Sequence, residues 1–502
     1  MIKTAKPDQP ALTTEDFLRH PDVTACISQL KNKFGENFEN LFISDTLDDY
    51  GHQYVNLVQK GGGVLGVSLV GYTYILEQAG IRFLRMAGTS AGAINTSLIV
   101  VIGKKEEPKS EKILKHLCDL NFFDLVDGPP VIRWLIRNFI TNKKFETNLK
   151  EFFDGLLIWL IALVCLDMIM ISFRAMEWAR ILLPVCVALT IIHLIAMGAF
   201  ILYLNHLFRS LRQSGHGVNP GNFFFEWMKK IMDENGVSTV TALNEKASAI
   251  PHLNVRNPAT QNADTLAGDI TIITSELVSE NKVEFPKMAN LFRERVDDLH
   301  PAHFVRASMS IPIFFESHVI DNIDTSSESI RNAWQEHFGD DQEIPAIARF
   351  IDGGMLSNFP INIFYNPRVV EPRLPSWGID LEDEDPSRQD NKTEIAPWSF
   401  TIYLGKLFNT IRYYYDKDFL IKNNVFKKGI GKIPLFEFNW LNFFVSDQEK
   451  LKMFIRGAQA ACDFLMSFDW PKYQQDRIQM KITLDKSTKT DPIKQPAAAH
   501  PA

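Results

Sequence analysis

The sequence has no surplus of positive charge. Across 502 residues, 53 lysines and arginines stand against 60 aspartates and glutamates, a net charge of −7. A chain without spare cations has little with which to neutralise phosphates, so no nucleic-acid partner is expected. Cysteine is also scarce. The five are scattered at Cys26, Cys118, Cys165, Cys186 and Cys462, with no CxxC pair. An odd number at such spacing speaks against a disulfide framework or a zinc site and fits a reduced, cytosolic setting. The opening residues, MIKTAKPDQPALTTEDF, lack the apolar stretch of a secretory signal. No Gly-Lys-Ser/Thr P-loop occurs. The acidic stretch LEDEDP lacks the alternating ligands and turn glycine of a calcium loop. No cofactor or metal is therefore expected, and no internal repeat is visible.

What the chain does contain is two long apolar runs around one short polar turn. Gly155–Phe173 reads GLLIWLIALVCLDMIMISF, and Ile181–Leu204 reads ILLPVCVALTIIHLIAMGAFILYL. As a helix the second run spans about 36 Å, enough for a hydrocarbon core of roughly 30 Å. The first is marginal, because Asp167 inside it costs about 3 kcal/mol on insertion. RAMEWAR between them is a charged, Trp-bearing connector suited to an interface. Lys143, Lys144 and Lys150 precede the pair, and Arg209 and Arg212 follow it. This basic flank predicts a two-pass transmembrane hairpin with both flanking halves of the chain, and so both termini, in the cytoplasm. Two alternatives stand beside it: a helical pair buried in a soluble core, and a monotopic hairpin favoured by Asp167 and Pro184. His193 is too far out of register about Glu177 to be the natural partner of Asp167, so each is expected to face another helix or the interface.

Outside the hairpin the pattern is layered α/β. Gln53–Gln59 predicts a strand running into Lys60-Gly61-Gly62-Gly63, and Val64–Gln78 has helical spacing. Ile81–Ala87 predicts a second strand, followed by Gly88-Thr89-Ser90-Ala91-Gly92 and a helix to about Val101. Phe223–Asn235 reads as helix, Asp269–Leu277 and Ala348–Ile351 as strands, and Asn322–Pro345 as a polar insertion. Length allows up to about three average domains.

A serine hydroxyl attacks an ester only when a base takes its proton and fixed donors hold the resulting oxyanion. Gly88-Thr89-Ser90-Ala91-Gly92 fits a nucleophile elbow, with Gly88 and Gly92 allowing the sharp turn and the helix N-terminus aimed at developing charge. Alone the pattern is weak, since about 0.2 chance matches are expected in a chain of this length. Its place between a strand and a helix is what strengthens it. The Gly61-Gly62-Gly63-Val64-Leu65-Gly66 loop offers backbone N–H groups at a helix start, suited to an oxyanion hole or, less readily, to a nucleotide phosphate. Asp352, followed by Gly353 and Gly354, is a carboxylate at a strand end, although Asp-Gly by itself is most often a turn.

These segments, together with AGIRFLRMAGTSAGAINTSLIV, FVRASMSIPIFFE at Phe304–Glu316 and FIDGGMLSNFPI at Phe350–Ile361, resemble the patatin-like phospholipase family in content and order. The resemblance spans roughly Tyr54 to Leu381 apart from the hairpin. It implies a three-layer α/β/α sandwich, into which the two-helix transmembrane hairpin read from the apolar runs is inserted. By motif it implies Ser90 as nucleophile, Asp352 as its only partner base, and Gly61, Gly62 and Gly63 as the oxyanion hole, with Gly66, Gly88, Gly92, Gly353 and Gly354 as supporting positions. No catalytic histidine is then required, and His303 and His318 read as structural or surface residues. One departure stands out: the family usually has Lys or Arg, thought to brace the loop, where this chain has Leu65.

The organisation expected is an N-terminal helical extension at 1–50, a catalytic domain at 51–150 and 210–380 and the hairpin at 151–209. An acidic linker at 381–395, a helical C-terminal part of the same body at 396–492 and a disordered tail at 493–502 complete it. Ser90 precedes the hairpin and Asp352 follows it, so an even number of crossings is needed to bring them together. The expected function is a membrane-anchored serine lipid acyl hydrolase, of phospholipase A or lysophospholipase type, independent of calcium. Its partners would be membrane phospholipids or other acyl lipids, with the oligomeric state open. The competing expectations are a membrane scaffold or lipid sensor that keeps the fold without turnover, favoured only by Leu65, and a hydrolase of small soluble esters or thioesters, disfavoured by the hairpin.

Overall fold

The computed structural model describes residues 12–490 apart from 142–144, 214, 258–264, 341 and 384–399. Its main sheet is built on β1 (Gln53–Gln59), β2 (Ile81–Thr89), β3 (Asp269–Glu276), β4 (His318–Ile320), β5 (Ala348–Asp352), β6 (Ser376–Glu382) and β7 (Ile430–Pro434). Their order across the sheet is β7-β6-β1-β2-β3-β5-β4. The first five in that order run parallel, and β5 and β4 are antiparallel additions beyond β3. Every residue of β1 is buried, as befits a parallel strand covered on both faces. Helices on both sides of this mixed sheet complete the α/β/α sandwich.

Two of those helices start at the loops of interest: α1 (Gly66–Gln78) after the glycine loop and α2 (Ala91–Val101) after Ser90. Nearly all of α1 is buried, which explains why its apolar pattern lacks a polar stripe. Part of its cover comes from the far end of the chain, the helix Asp447–Ser467, which begins with a capping box at Ser446 and Glu449.

The structure departs from the sequence expectation in three places. The C-terminal part, expected to be helix, also supplies β7, whose IGKIP sequence alternates too briefly to read as a strand. The polar stretch at 322–345 contains a helix, Glu328–Phe338, that buries Ile330, Ala333 and Trp334; its three apolar anchors are diluted by polar neighbours. Leu381 and Glu382, expected to open a linker, instead end β6. Residues 384–395 of that linker, the tail at 493–502, and Lys143 and Lys144 lie outside the described residues.

The chain divides into two compact units: Met1–Leu125 with Gly221–Ile311 and Ser317–Ala502, and Val126–Pro220 with Pro312–Glu316. The first holds the sheet. The second holds two long helices, Phe145–Ser172 and Glu177–Gln213, and a two-stranded parallel ribbon of Gly217–Asn219 with Ile313–Phe315. Asn219 ties the ribbon together. Its amide donates to Phe314 O (2.8 Å), and its Oδ1 accepts from Gly128 N–H (3.0 Å).

The long helices contain stretches, Phe153–Ser172 and Glu177–Tyr203, with mean hydropathies of 2.4 and 2.6. Both are long and apolar enough to cross a membrane. Only 6% and 11% of these stretches is buried, so the alternative of a pair hidden in a soluble core does not describe them. Within the hairpin Asp167 is not left alone: Thr190 Oγ donates to its Oδ2 at 2.7 Å. Thr190 lies one turn before His193, whose Nε2 has no hydrogen-bond partner among the described residues. The register argument against an Asp167–His193 pair is thus resolved by a hydroxyl that the sequence did not single out.

Candidate active site

Ser90 sits between β2 and α2 with φ +53° and ψ −121°. A non-glycine residue with positive φ stores strain, of order 1–3 kcal/mol, and keeps it only when its surroundings over-determine it. Here they do. The Ser90 N–H donates to Ser308 Oγ (2.9 Å), whose hydroxyl donates to Ile273 O (2.6 Å). Thr89 Oγ donates to Ser357 O (3.0 Å). The flanking glycines permit close approach: a Cβ on Gly88 would collide with the Gly92 backbone, and one on Gly92 with the Gln59 carbonyl.

Asp352 ends β5 and is held from several directions. Its N–H donates to Ser310 O (2.8 Å), and its own carbonyl accepts from Ser275 Oγ (3.2 Å). The carboxylate accepts Gly354 N–H (2.7 Å), and both the Ser90 hydroxyl and the Arg412 charge lie close enough to act on it. Burial pushes its pKa above the usual aspartate value, against the lowering effects of Ser90, Arg412 and Gly354. The helix Ala302–Ser308 and the residues just after it thus brace both partners, through Ser308 on one side and Ser310 on the other. Ser90 and Asp352, 262 positions apart in sequence, meet as a buried pair.

The glycine loop lies against this pair, and its amides divide. A Cβ on Gly61 would approach Ser90 Cβ to 3.0 Å. The Gly61 N–H is already engaged by Asn358 O (3.0 Å), and Asn358 Nδ2 returns a bond to Gly61 O (3.3 Å). Val64 N–H donates to Trp440 O, and Leu65 N–H to Gly62 O, both at 3.1 Å. The Gly62 and Gly63 N–H groups donate to no acceptor among the described residues. Of the supporting positions, Gly66 faces Ala91, Gly353 abuts Ile273 O, and Gly354 sits between Asn358 and Arg412.

Residues 57–365 match the family described as patatin-like phospholipase. The chain belongs to the patatin-like phospholipase family. Membership makes it a hydrolase of lipid-ester type, the activity for which the family is named. The chain is also 21% identical over 417 residues to the uncharacterized protein YqhO of Bacillus subtilis (strain 168), across 83% of this chain and 100% of that one. The crystal structure of VipD from Legionella pneumophila is 14% identical, with a TM-score of 0.35, covering 84% of this chain and 68% of VipD.

Against the family pattern, Leu65 is the position to examine. It is buried, and as leucine it offers no basic group to brace the loop. Bracing comes instead from residues outside the motifs. Arg412, on a C-terminal helix, donates from Nη2 to Asn358 Oδ1 (3.0 Å), and its guanidinium lies 5.7 Å from the Trp440 ring centroid. Asn358 holds Gly61, and Trp440 holds Val64, so one arginine supports both ends of the loop. No sequence signal marked it, since it lies in an unremarkable helical stretch more than fifty residues beyond Asp352. His303 and His318 bond to each other (2.8 Å), and no histidine bonds Ser90 among the described residues.

Proposed function

We propose that the protein is a membrane-anchored serine acyl hydrolase that cleaves fatty acyl esters of phospholipids or lysophospholipids through a Ser90–Asp352 dyad. The observation that carries this is Ser90, held at positive φ next to a buried carboxylate that it influences, beside two backbone N–H groups unclaimed among the described residues. Ser90 Oγ attacks the acyl carbonyl while Asp352 takes its proton. Gly62 and Gly63 N–H groups hold the oxyanion, and Gly61 fixes the loop to Asn358. Asp352 returns the proton to the leaving alcohol, and the acyl chain remains on Ser90. Water, deprotonated by Asp352, then releases the fatty acid.

The two apolar helices, long enough to span and almost wholly unburied, support an anchor that keeps the domain at its insoluble substrate and raises the local lipid concentration. With both ends of the hairpin on one side, the catalytic domain and both termini lie in the cytoplasm. The test is a fluorophosphonate probe followed by mass spectrometry of the adduct. Modification of Ser90, together with fatty-acid release from phospholipid vesicles, is the expected result. An unlabelled active-site peptide in a folded protein overturns the reading.

Arg412 gives this mechanism a pH signature. Its charge lowers the Asp352 pKa, and a base works only when deprotonated. Arg412→Gln is therefore expected to move the acid limb of kcat to higher pH. Its lost bond to Asn358 should also lower kcat by roughly tenfold, less than the about 100-fold of losing an oxyanion donor. Arg412→Lys should restore the limb but not the full rate, because an ammonium keeps the charge without the planar fork. Unchanged pH–rate profiles in both variants would remove Arg412 from the site.

A further inference from the structure

The helix that delivers Arg412, Phe400–Lys422, has two faces with different tasks. Its inner face is committed to the site. Besides Arg412, Asp416 accepts from Ser357 Oγ and Phe359 N–H, both at 2.7 Å, locking the helix onto the segment that follows Asp352. Its outer face carries Tyr403, Leu407, Ile411, Tyr414 and Ile421, which are 51%, 47%, 57%, 68% and 72% exposed. Steps of four, four, three and seven residues place them in one line. Large apolar side chains in such a line on a soluble surface mark a contact site.

The flanks indicate what is contacted. Lys406 and Lys417 lie along one side of the line and Lys422 along the other, and all three are exposed. The one acidic group within the line, Asp418, is paired with Lys422 at 2.6 Å. Tyrosine is a residue of the lipid–water boundary, where its ring can sit among acyl chains and its hydroxyl in water. An apolar stripe bordered by lysines is the pattern of a helix lying flat in an anionic lipid surface, sunk about 5–10 Å.

We propose that the outer face of Phe400–Lys422 docks onto an anionic bilayer surface, so that one helix contacts the substrate phase on one side and braces the oxyanion loop on the other. This rests on the lipid-hydrolase reading for its consequence, but not for its test. The full-length protein, carrying a photo-crosslinking benzoylphenylalanine at position 407, is reconstituted into phosphatidylcholine vesicles with and without phosphatidylserine. The same probe at position 50, an exposed tyrosine elsewhere on this unit, serves as control. Lipid adducts at 407, more abundant with phosphatidylserine and rare at 50, are expected. Adducts to a second copy of the chain, or none, overturn the proposal. In parallel, Leu407→Asp/Ile411→Asp should lower hydrolysis of bilayer phospholipid by about tenfold or more while leaving a soluble short-chain ester within about twofold. An equal loss on both substrates counts against docking. Absence of hydrolysis in the wild type would sink the enzyme reading and leave the crosslinking result to decide the surface.

Discussion

Ser90→Ala and Ser90→Gly are both expected to lose fatty-acid release by about ten thousandfold or more, since removing a serine nucleophile leaves only binding and the oxyanion donors. Their stabilities should differ. Both variants lack the hydroxyl that acts on Asp352, so comparing them isolates the backbone. At φ +53° and ψ −121° alanine retains the clash of its Cβ, whereas glycine is free of it. The relief, of order 1–3 kcal/mol, is partly offset by the greater freedom of glycine in the unfolded chain. Ser90→Gly should therefore be the more stable by about 1 kcal/mol, read as a higher Tm in the same detergent. Equal Tm values would mean the elbow carries no strain. Turnover within about a hundredfold of wild type in either variant would put the nucleophile elsewhere.

That strain marks the limit of what the sequence discloses. Gly88 to Gly92 announced a sharp turn, and the strand before it and helix after it followed from apolar spacing. The backbone angles at Ser90, however, are fixed by Ser308, which the sequence offered only as part of a resembling segment. The same holds for the glycine loop. Three consecutive glycines suggested three equivalent donors, yet Asn358 engages the Gly61 N–H and leaves those of Gly62 and Gly63. Such divisions depend on tertiary hydrogen bonds between residues hundreds of positions apart, and periodicity carries no information about them. Arg412 and Trp440 were hidden for the same reason: they lie beyond the matched family segment, in a region legible as helix but not as part of a site. The hairpin shows the opposite balance. Its length and composition were plain in the sequence, because the physics of a 30 Å apolar layer is one-dimensional; only the Thr190–Asp167 bond required the fold.

Asp352→Asn should be nearly as damaging as loss of Ser90, by about a thousandfold to ten thousandfold, because an isosteric amide cannot take a proton from the serine. Yet the variant should fold well. Asparagine can accept the Gly354 N–H bond that Asp352 makes at 2.7 Å, and it removes a charge from a buried position. Burial raises the Asp352 pKa, so above the ordinary aspartate range the folded protein holds a proton that the unfolded chain has released. Wild-type stability accordingly falls as pH rises through that window, until the carboxyl ionises in the folded state as well. The asparagine variant has no such group. Its stability relative to wild type should be smallest in acid, increase as pH rises from the ordinary aspartate value to the raised one, and level off above it. Thermal unfolding of both proteins over a pH series measures this difference directly. A variant that loses stability relative to wild type as pH rises would mean that Ser90, Gly354 and Arg412 together outweigh burial. Asp352 would then be a structural anion rather than a base held ready to accept a proton.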